Sequence, residues 1–209
     1  MNWLLAAAAP LLVGAVFMAC GFIHPAILAY HGLCAVVVVR QRARVRTLLK
    51  GGRSTSAWVL GTTILVVGPL LAAPLMQDPA PFRELFLRTL FPRGQVSTLF
   101  ALFAAYTLVV HAPLEEIFWR AVVLDPDRGP LPASIAGNAF FFYLLHAIPM
   151  TLVLGARGLL FAVPTLAAGA IWSWVTIRSR SLWPGLLSHW AADALLLAGM
   201  WAYFVRPPL

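Results

Sequence analysis

Residues 3 to 39 contain no Asp, Glu, Lys or Arg, and several later stretches of the 209-residue chain are nearly as free of charge. A helix needs about 20 apolar residues to cross the hydrocarbon core of a bilayer, and in lipid every backbone polar group must be satisfied inside the chain. An all-α polytopic transmembrane bundle follows. Composition agrees, since 61% of residues are hydrophobic and 11% charged, against an apolar share of about 45 to 50% in soluble domains.

The run from 3 to 39 is too long for one straight crossing, and GFIHP at 21–25 supplies the Gly and Pro to turn a helical hairpin. Further spans are read at 57–76, 96–123, 134–152, 158–177 and 182–205, about seven crossings in all. PAPFRELFLRTLFPRG, at 79–94, places Phe82, Leu85, Phe86 and Leu90 at helical spacing with Arg83, Glu84 and Arg88 elsewhere. That pattern fits an amphipathic helix lying in the interface. No linker, repeat or composition shift divides the chain, so residues 1–209 read as one integral membrane domain, with a catalytic half at about 96–205.

RQRARVRTLLKGGR, at 40–53, carries six positive side chains and no negative one, and so marks the cytoplasmic side. Counting crossings from it places the N-terminus, the LDPDRGPLP loop at 124–132 and RSRS at 178–181 on that same side, and the C-terminus on the other. The net charge of +8 therefore fits anionic lipid headgroups. Nucleic acid is excluded as a partner, because its recognition needs a basic soluble face. The N-terminus has no Lys or Arg ahead of its apolar stretch, unlike a secretory signal, and reads as a retained span. Cys20 and Cys34 lie in apolar runs without metal or redox spacing, and read as packing residues.

Ionisable groups inside a span cost about 2.5 kcal/mol or more, so each asks for a partner or a task. Glu115, Glu116, His146, His189 and Asp193 are such groups. At about 1.5 Å per residue, Glu115 and Glu116 lie roughly 14 Å from the inner end of their span, His189 roughly 12 Å and His146 near 20 Å. Three spans thus deliver polar groups to overlapping depths, which one shared cavity explains. Glu116 and Arg120 stand at i and i+4 with the acid first, the favoured order for an ion pair. Glu115 is rotated by about 100° from Glu116, which leaves it free to take and give a proton. His189 and Asp193 are again i and i+4, so the carboxylate can fix one imidazole nitrogen and leave the other to donate to an oxyanion.

Competing readings stand beside these. The glutamate pair suits a salt-bridged helix end, the His189–Asp193 pair a polar bridge between helices, and His146, one turn after Phe142, a satisfied core histidine. His111, one turn before Glu115, either steers that acid or packs. His24 and His31 lie far from the constellation in sequence and read as packing residues. Two histidines and two carboxylates could bind zinc, although HExxH is absent. GxSxG and Walker signatures are absent too, and Ser188 and His189, as neighbours, point to different faces. From another class, a scaffold, an immunity factor or a proton-coupled carrier would use the same buried acids, but no inverted repeat marks a carrier.

Glu115-Glu116-x-x-x-Arg120, Phe142-x-x-x-His146 and His189-x-x-x-Asp193, in this order on successive spans, resemble the three motifs of the CPBP family. That family comprises the CAAX-protease and bacteriocin-processing (Abi) membrane proteins, Rce1-type prenyl-protein endopeptidases among them. The resemblance covers about 111–195 and implies a glutamate-dependent intramembrane protease without an essential metal or other cofactor. By carry-over, Glu115 would activate water with His146, His189 and Asp193 would form the oxyanion site, and Glu116 and Arg120 would organise it. Phe142 and His111 are candidate substrate contacts. Asp193 stands where Rce1-type members carry Asn, and orienting His189 is the role a carboxylate fits there. The implied substrate is a peptide or protein, lipid-modified or membrane-anchored, and the compact catalytic half looks like that of a prokaryotic member in the cytoplasmic membrane.

Overall fold

The computed structural model describes residues 1–51, 96–125 and 132–202. The span read at 57–76 and the interfacial helix read at 79–94 lie outside the described residues, as do the end of the last span and most of the 124–132 loop. The described residues form seven helices. These are α1 (Trp3–Cys20), α2 (Ile23–Arg40), α3 (Arg42–Leu49), α4 (96–123), α5 (Pro132–Leu154), α6 (Arg157–Ser179) and α7 (Trp183–Met200).

Five of them, α1, α2, α4, α5 and α6, are long and apolar enough to cross a membrane, and the protein is an integral multi-pass membrane protein. α7 forms where a further crossing is expected but is not among these five. Ser188, His189 and Asp193 interrupt its apolar run, which is the same feature that makes it part of a site.

The hairpin of α1 and α2 shows how local sequence sets the bundle. Asn2 caps α1, its Oδ1 accepting from Leu5 N at 3.2 Å. Gly21 ends the helix in the left-handed region at φ 71°, where a side chain would be strained, and its N–H reaches Phe17 O at 2.8 Å. Pro25 falls in the first turn of α2, where its missing N–H removes no helical bond. Ala6, Ala9, Val13 and Phe17 then pack on Ala26, Tyr30 and Cys34 in one core, which also holds Phe118, Trp119, Phe142 and Trp172. Small residues, Ala139 of α5 and Ala162, Ala168 and Gly169 of α6, bring α5 and α6 close together. Close approach of this kind drives helix association where lipid removes the hydrophobic gain.

One end of the bundle gathers four distant segments. Asn2 N donates to Val123 O at 2.7 Å, and Leu182 N to Leu48 O at 3.2 Å. Trp183 Nε1 donates to Leu49 O at 2.8 Å. Arg44 pairs with Asp125, so the acid in the 124–132 loop meets the basic segment. Gly51 packs against Ser181. The N-terminus, the basic segment, the end of α4 and the α6–α7 turn therefore share one side, as counting crossings requires. Cysteines introduced by Leu48→Cys and Leu182→Cys, neighbours in one packed cluster, in a chain with Cys20 and Cys34 replaced by Ala, should crosslink on mild oxidation. A protease site inserted at 126–131 reads this out: the fragments stay joined until reduced, and fragments that separate without reductant would contradict the shared end.

Candidate active site

The site is built on an irregular stretch of α4. Thr107–His111 and Ile117–Val123 open to the wider π turn, and the two carboxylates lie on the regular turn between them, Ala112–Glu116. Pro113 accounts for the first widening, because it has no N–H for Val109 and its ring crowds that carbonyl. Ala112 N–H reaches back five residues to Thr107 O, which leaves the Leu108 carbonyl with neither of its usual donors. Trp190 of α7 supplies one, its Nε1 donating to Leu108 O at 2.6 Å. At the second widening, Leu124 N–H reaches Trp119 O at 3.0 Å, and Asn138 Nδ2 donates to the same carbonyl at 3.0 Å. Each π turn thus presents a carbonyl that a neighbouring helix ties down. Such turns are frequent at functional sites.

Glu115, Glu116 and Arg120 are all fully buried. Glu116 is a bridge: Arg120 Nε lies 3.5 Å from its Oε2, and His189 Nδ1 lies 3.2 Å from its Oε1. Gly185 permits this contact, since a Cβ there would stand 2.6 Å from Glu116 Oε2. Glycine lets α7 approach α4, and one turn further on His189 reaches the carboxylate. Arg120 also donates to Asn138 Oδ1, which accepts from Ser173 Oγ at 2.9 Å as well. The guanidinium lies 4.9 Å from the centroid of Phe142 and 5.7 Å from that of Trp172, within cation–π range.

Phe142 is the hub that brings two histidines together. His146 packs on it at 4.7 Å between centroids and His189 at 6.2 Å. Trp172 stacks on His189 at 4.6 Å and 22°, while its Nε1 donates to Ser188 Oγ at 2.9 Å. Ser188 is thus engaged by tryptophan, and His189 by carboxylates. His146 Nδ1 donates to Phe142 O at 2.9 Å; in the neutral imidazole the lone pair is then on Nε2.

Glu115 differs from its neighbour. Among the described residues, neither of its carboxylate oxygens has a hydrogen-bond donor. Imidazoles stand around it: His111 Nε2 at 3.7 Å and His189 Nε2 at 3.9 Å from Oε2, with His146 and His31 within electrostatic range. Asp193 Oδ2 lies 3.6 Å from His189 Nε2. The spacing-based reading gave Asp193 the orienting of His189; the nearer carboxylate is Glu116, on the opposite ring nitrogen, and Asp193 shares the Nε2 side with Glu115.

All eight residues singled out from sequence, His111, Glu115, Glu116, Arg120, Phe142, His146, His189 and Asp193, therefore fall in one connected cluster. Phe142 is buried beneath Arg120 at 1% exposure. His31, read as a packing residue, lies 3.0 Å from His111 Nδ1 through its Nε2, and so belongs to the surroundings of Glu115. Asn138, Trp172 and Ser173 were missed because they are uncharged. A signal existed for Asn138: it precedes Phe142 and His146 on the same face at successive i+4 steps. Among the described residues, no group of three or more His, Cys, Asp or Glu side chains is arranged to hold a metal ion.

Residues 97–195 match the family model described as type II CAAX prenyl endopeptidase Rce1-like. This stretch of the chain is similar to the Rce1-like domain. The match spans α4 to α7 and takes in every residue of the Glu116 bridge. Members of the Rce1-like family are CAAX prenyl endopeptidases, hydrolases of a peptide bond. No curated protein and no solved structure matches the chain.

Replacing Asn138 by Leu removes the acceptor of a buried guanidinium hydrogen bond, an interaction of about 1.5 to 3 kcal/mol. The Asn138→Leu protein should lose about that much stability, read as a lower thermal midpoint in detergent. A midpoint equal to that of the native protein would show that Asn138 does not anchor Arg120.

Proposed function

We propose that this protein is an intramembrane endopeptidase that cleaves a prenylated CAAX-type peptide with water activated by Glu115. One observation supports the reading: within the segment that matches the Rce1-like model, Glu115 is a buried carboxylate with no hydrogen-bond donor among the described residues, and imidazoles stand around it.

A carboxylate in that state accepts from water, and His146 Nε2 is a second acceptor for the same molecule. The water attacks the scissile carbonyl as its proton passes to Glu115. His189, in its protonated form, donates through Nδ1 to Glu116 and through Nε2 toward the developing oxyanion. The proton on Glu115 then moves to the leaving amine, which closes the cycle. Glu116 and Arg120 hold His189 in place and do not exchange protons with substrate. Asp193 stands beside the donating nitrogen and keeps it directed toward the site.

Depth and lipid fit this chemistry. A prenyl chain anchors a substrate among acyl chains, and its peptide then enters a bundle whose polar groups lie below the interface. The basic end, with Arg40, Arg42, Arg46 and Lys50 on α2, α3 and the residue after it, faces the cytoplasm on the positive-inside bias.

The test is cleavage of a quenched-fluorescent peptide ending in a farnesylated Cys and three further residues. Glu115→Gln should lower turnover by about 100- to 10,000-fold, the contribution of a positioned base, with the protein still folded in detergent. Full activity of Glu115→Gln would end the assignment. Treatment of the purified native protein with a chelator such as 1,10-phenanthroline should leave turnover unchanged. Loss of turnover restored by added zinc would establish the metal-dependent reading in its place.

A further inference from the structure

The first half of the chain lies outside the Rce1-like match, yet α2 reaches Glu115 through a line of side chains. The hydroxyl of Tyr106 is hydrogen-bonded to His31 Nδ1. His31 Nε2 stands 3.0 Å from His111 Nδ1, and His111 Nε2 stands 3.7 Å from Glu115 Oε2. Next to His31 on α2, Tyr30 is buried at 1% exposure and accepts from Trp119 Nε1 at 2.8 Å. Two adjacent residues of α2 thus fix the two ends of the reactive stretch of α4.

The chemistry of each group sets the direction of the line. An ionised carboxylate only accepts, so His111 presents its proton on Nε2, and a neutral imidazole then accepts at Nδ1. His31 must donate from Nε2 and accept at Nδ1, which the Tyr106 hydroxyl satisfies. Every donor points toward Glu115, and each ring has one tautomer that fits. His189 also approaches Oε2, at 3.9 Å. Both imidazoles therefore face one oxygen, and Oε1 is the atom left to take the proton from water.

We infer that α2 completes the active site: His31, held by Tyr106, is a positioning residue that fixes the tautomer of His111 and through it the orientation of the Glu115 carboxylate. This rests on Glu115 being the base. Without His31, His111 is free to turn its lone pair on Glu115, which repels the carboxylate and removes its orientation. Substrate contacts do not change, so the cost falls on turnover and not on binding.

The experiment compares His31→Leu, His31→Gln and Tyr106→Phe on the farnesylated peptide, alongside Glu115→Gln. A Gln amide can donate to His111 and its carbonyl can accept from Tyr106. His31→Leu should lower kcat about tenfold, the equivalent of one hydrogen bond, with KM unchanged. His31→Gln should recover most of that loss, and Tyr106→Phe should fall between. Equal loss in His31→Leu and His31→Gln would reduce His31 to a packing residue, and native kcat in His31→Leu would remove it from the site. If Glu115→Gln is active, the base assignment itself has failed; if it is inactive while His31→Leu is normal, only this inference has failed. Nitrogen-15 spectra of histidine-labelled native protein give a readout free of both folding and substrate. His31 and His111 should each carry the proton on Nε2, and a proton on Nδ1 of His111 would overturn the inference.

Discussion

A carboxylate that cannot reach water organises this protein. Glu116 is fully buried in a chain that spans lipid, and Arg120 and His189 approach it from two sides. Leaving one partner of such a group alone in a low-dielectric interior costs about 3 to 5 kcal/mol. The pairing therefore dictates where α7 sits against α4, and Gly185 is the residue that lets the two backbones come close enough. Arg120 carries the constraint onward to α5 through Asn138, and Asn138 carries it to α6 through Ser173. Four helices are registered by one connected polar network, in a solvent that supplies little other force between them.

That network separates two tasks assigned to adjacent residues. Glu116 is engaged by Arg120 and His189, while Glu115, one residue earlier and a third of a turn away, has no hydrogen-bond donor on either oxygen among the described residues. The aromatic residues make the separation rigid. Phe142 supports Arg120, His146 and His189 at once, and Trp172 stacks on His189. Two histidines from different helices are thereby held near one acid, which is the preorganisation that the proposed water activation would use.

Much of this was legible in the order of residues. The absence of charge over 3–39 gave two spans, and GFIHP gave their turn, with Gly21 as the helix stop and Pro25 in the first turn beyond it. The i, i+4 spacings showed that Glu116 can meet Arg120 and that His189 can meet Asp193, because such spacings report neighbours along a single helix. They are silent about neighbours across helices. The spacing therefore assigned Asp193 to orient His189, while Glu116 of another helix approaches it more closely. Asn138, Ser173 and Trp172 escaped notice because a search for costly charges passes over neutral donors and acceptors. His31 escaped because 80 residues separate it from the His111 it touches. The π turns of α4 follow in part from Pro113, but a proline marks a disturbed helix without saying which helix will satisfy the freed carbonyl.

The central claim is that Glu115 and His146, from two helices, act on one water molecule. The most direct measurement is a double-mutant cycle on turnover of the farnesylated peptide with Glu115→Gln, His146→Ala and the combined variant. Groups that act as a unit are far from additive, so the double variant should be about as slow as the slower single one. Losses that multiply in full would mean that the two side chains serve separate steps, and would contradict the single site described above.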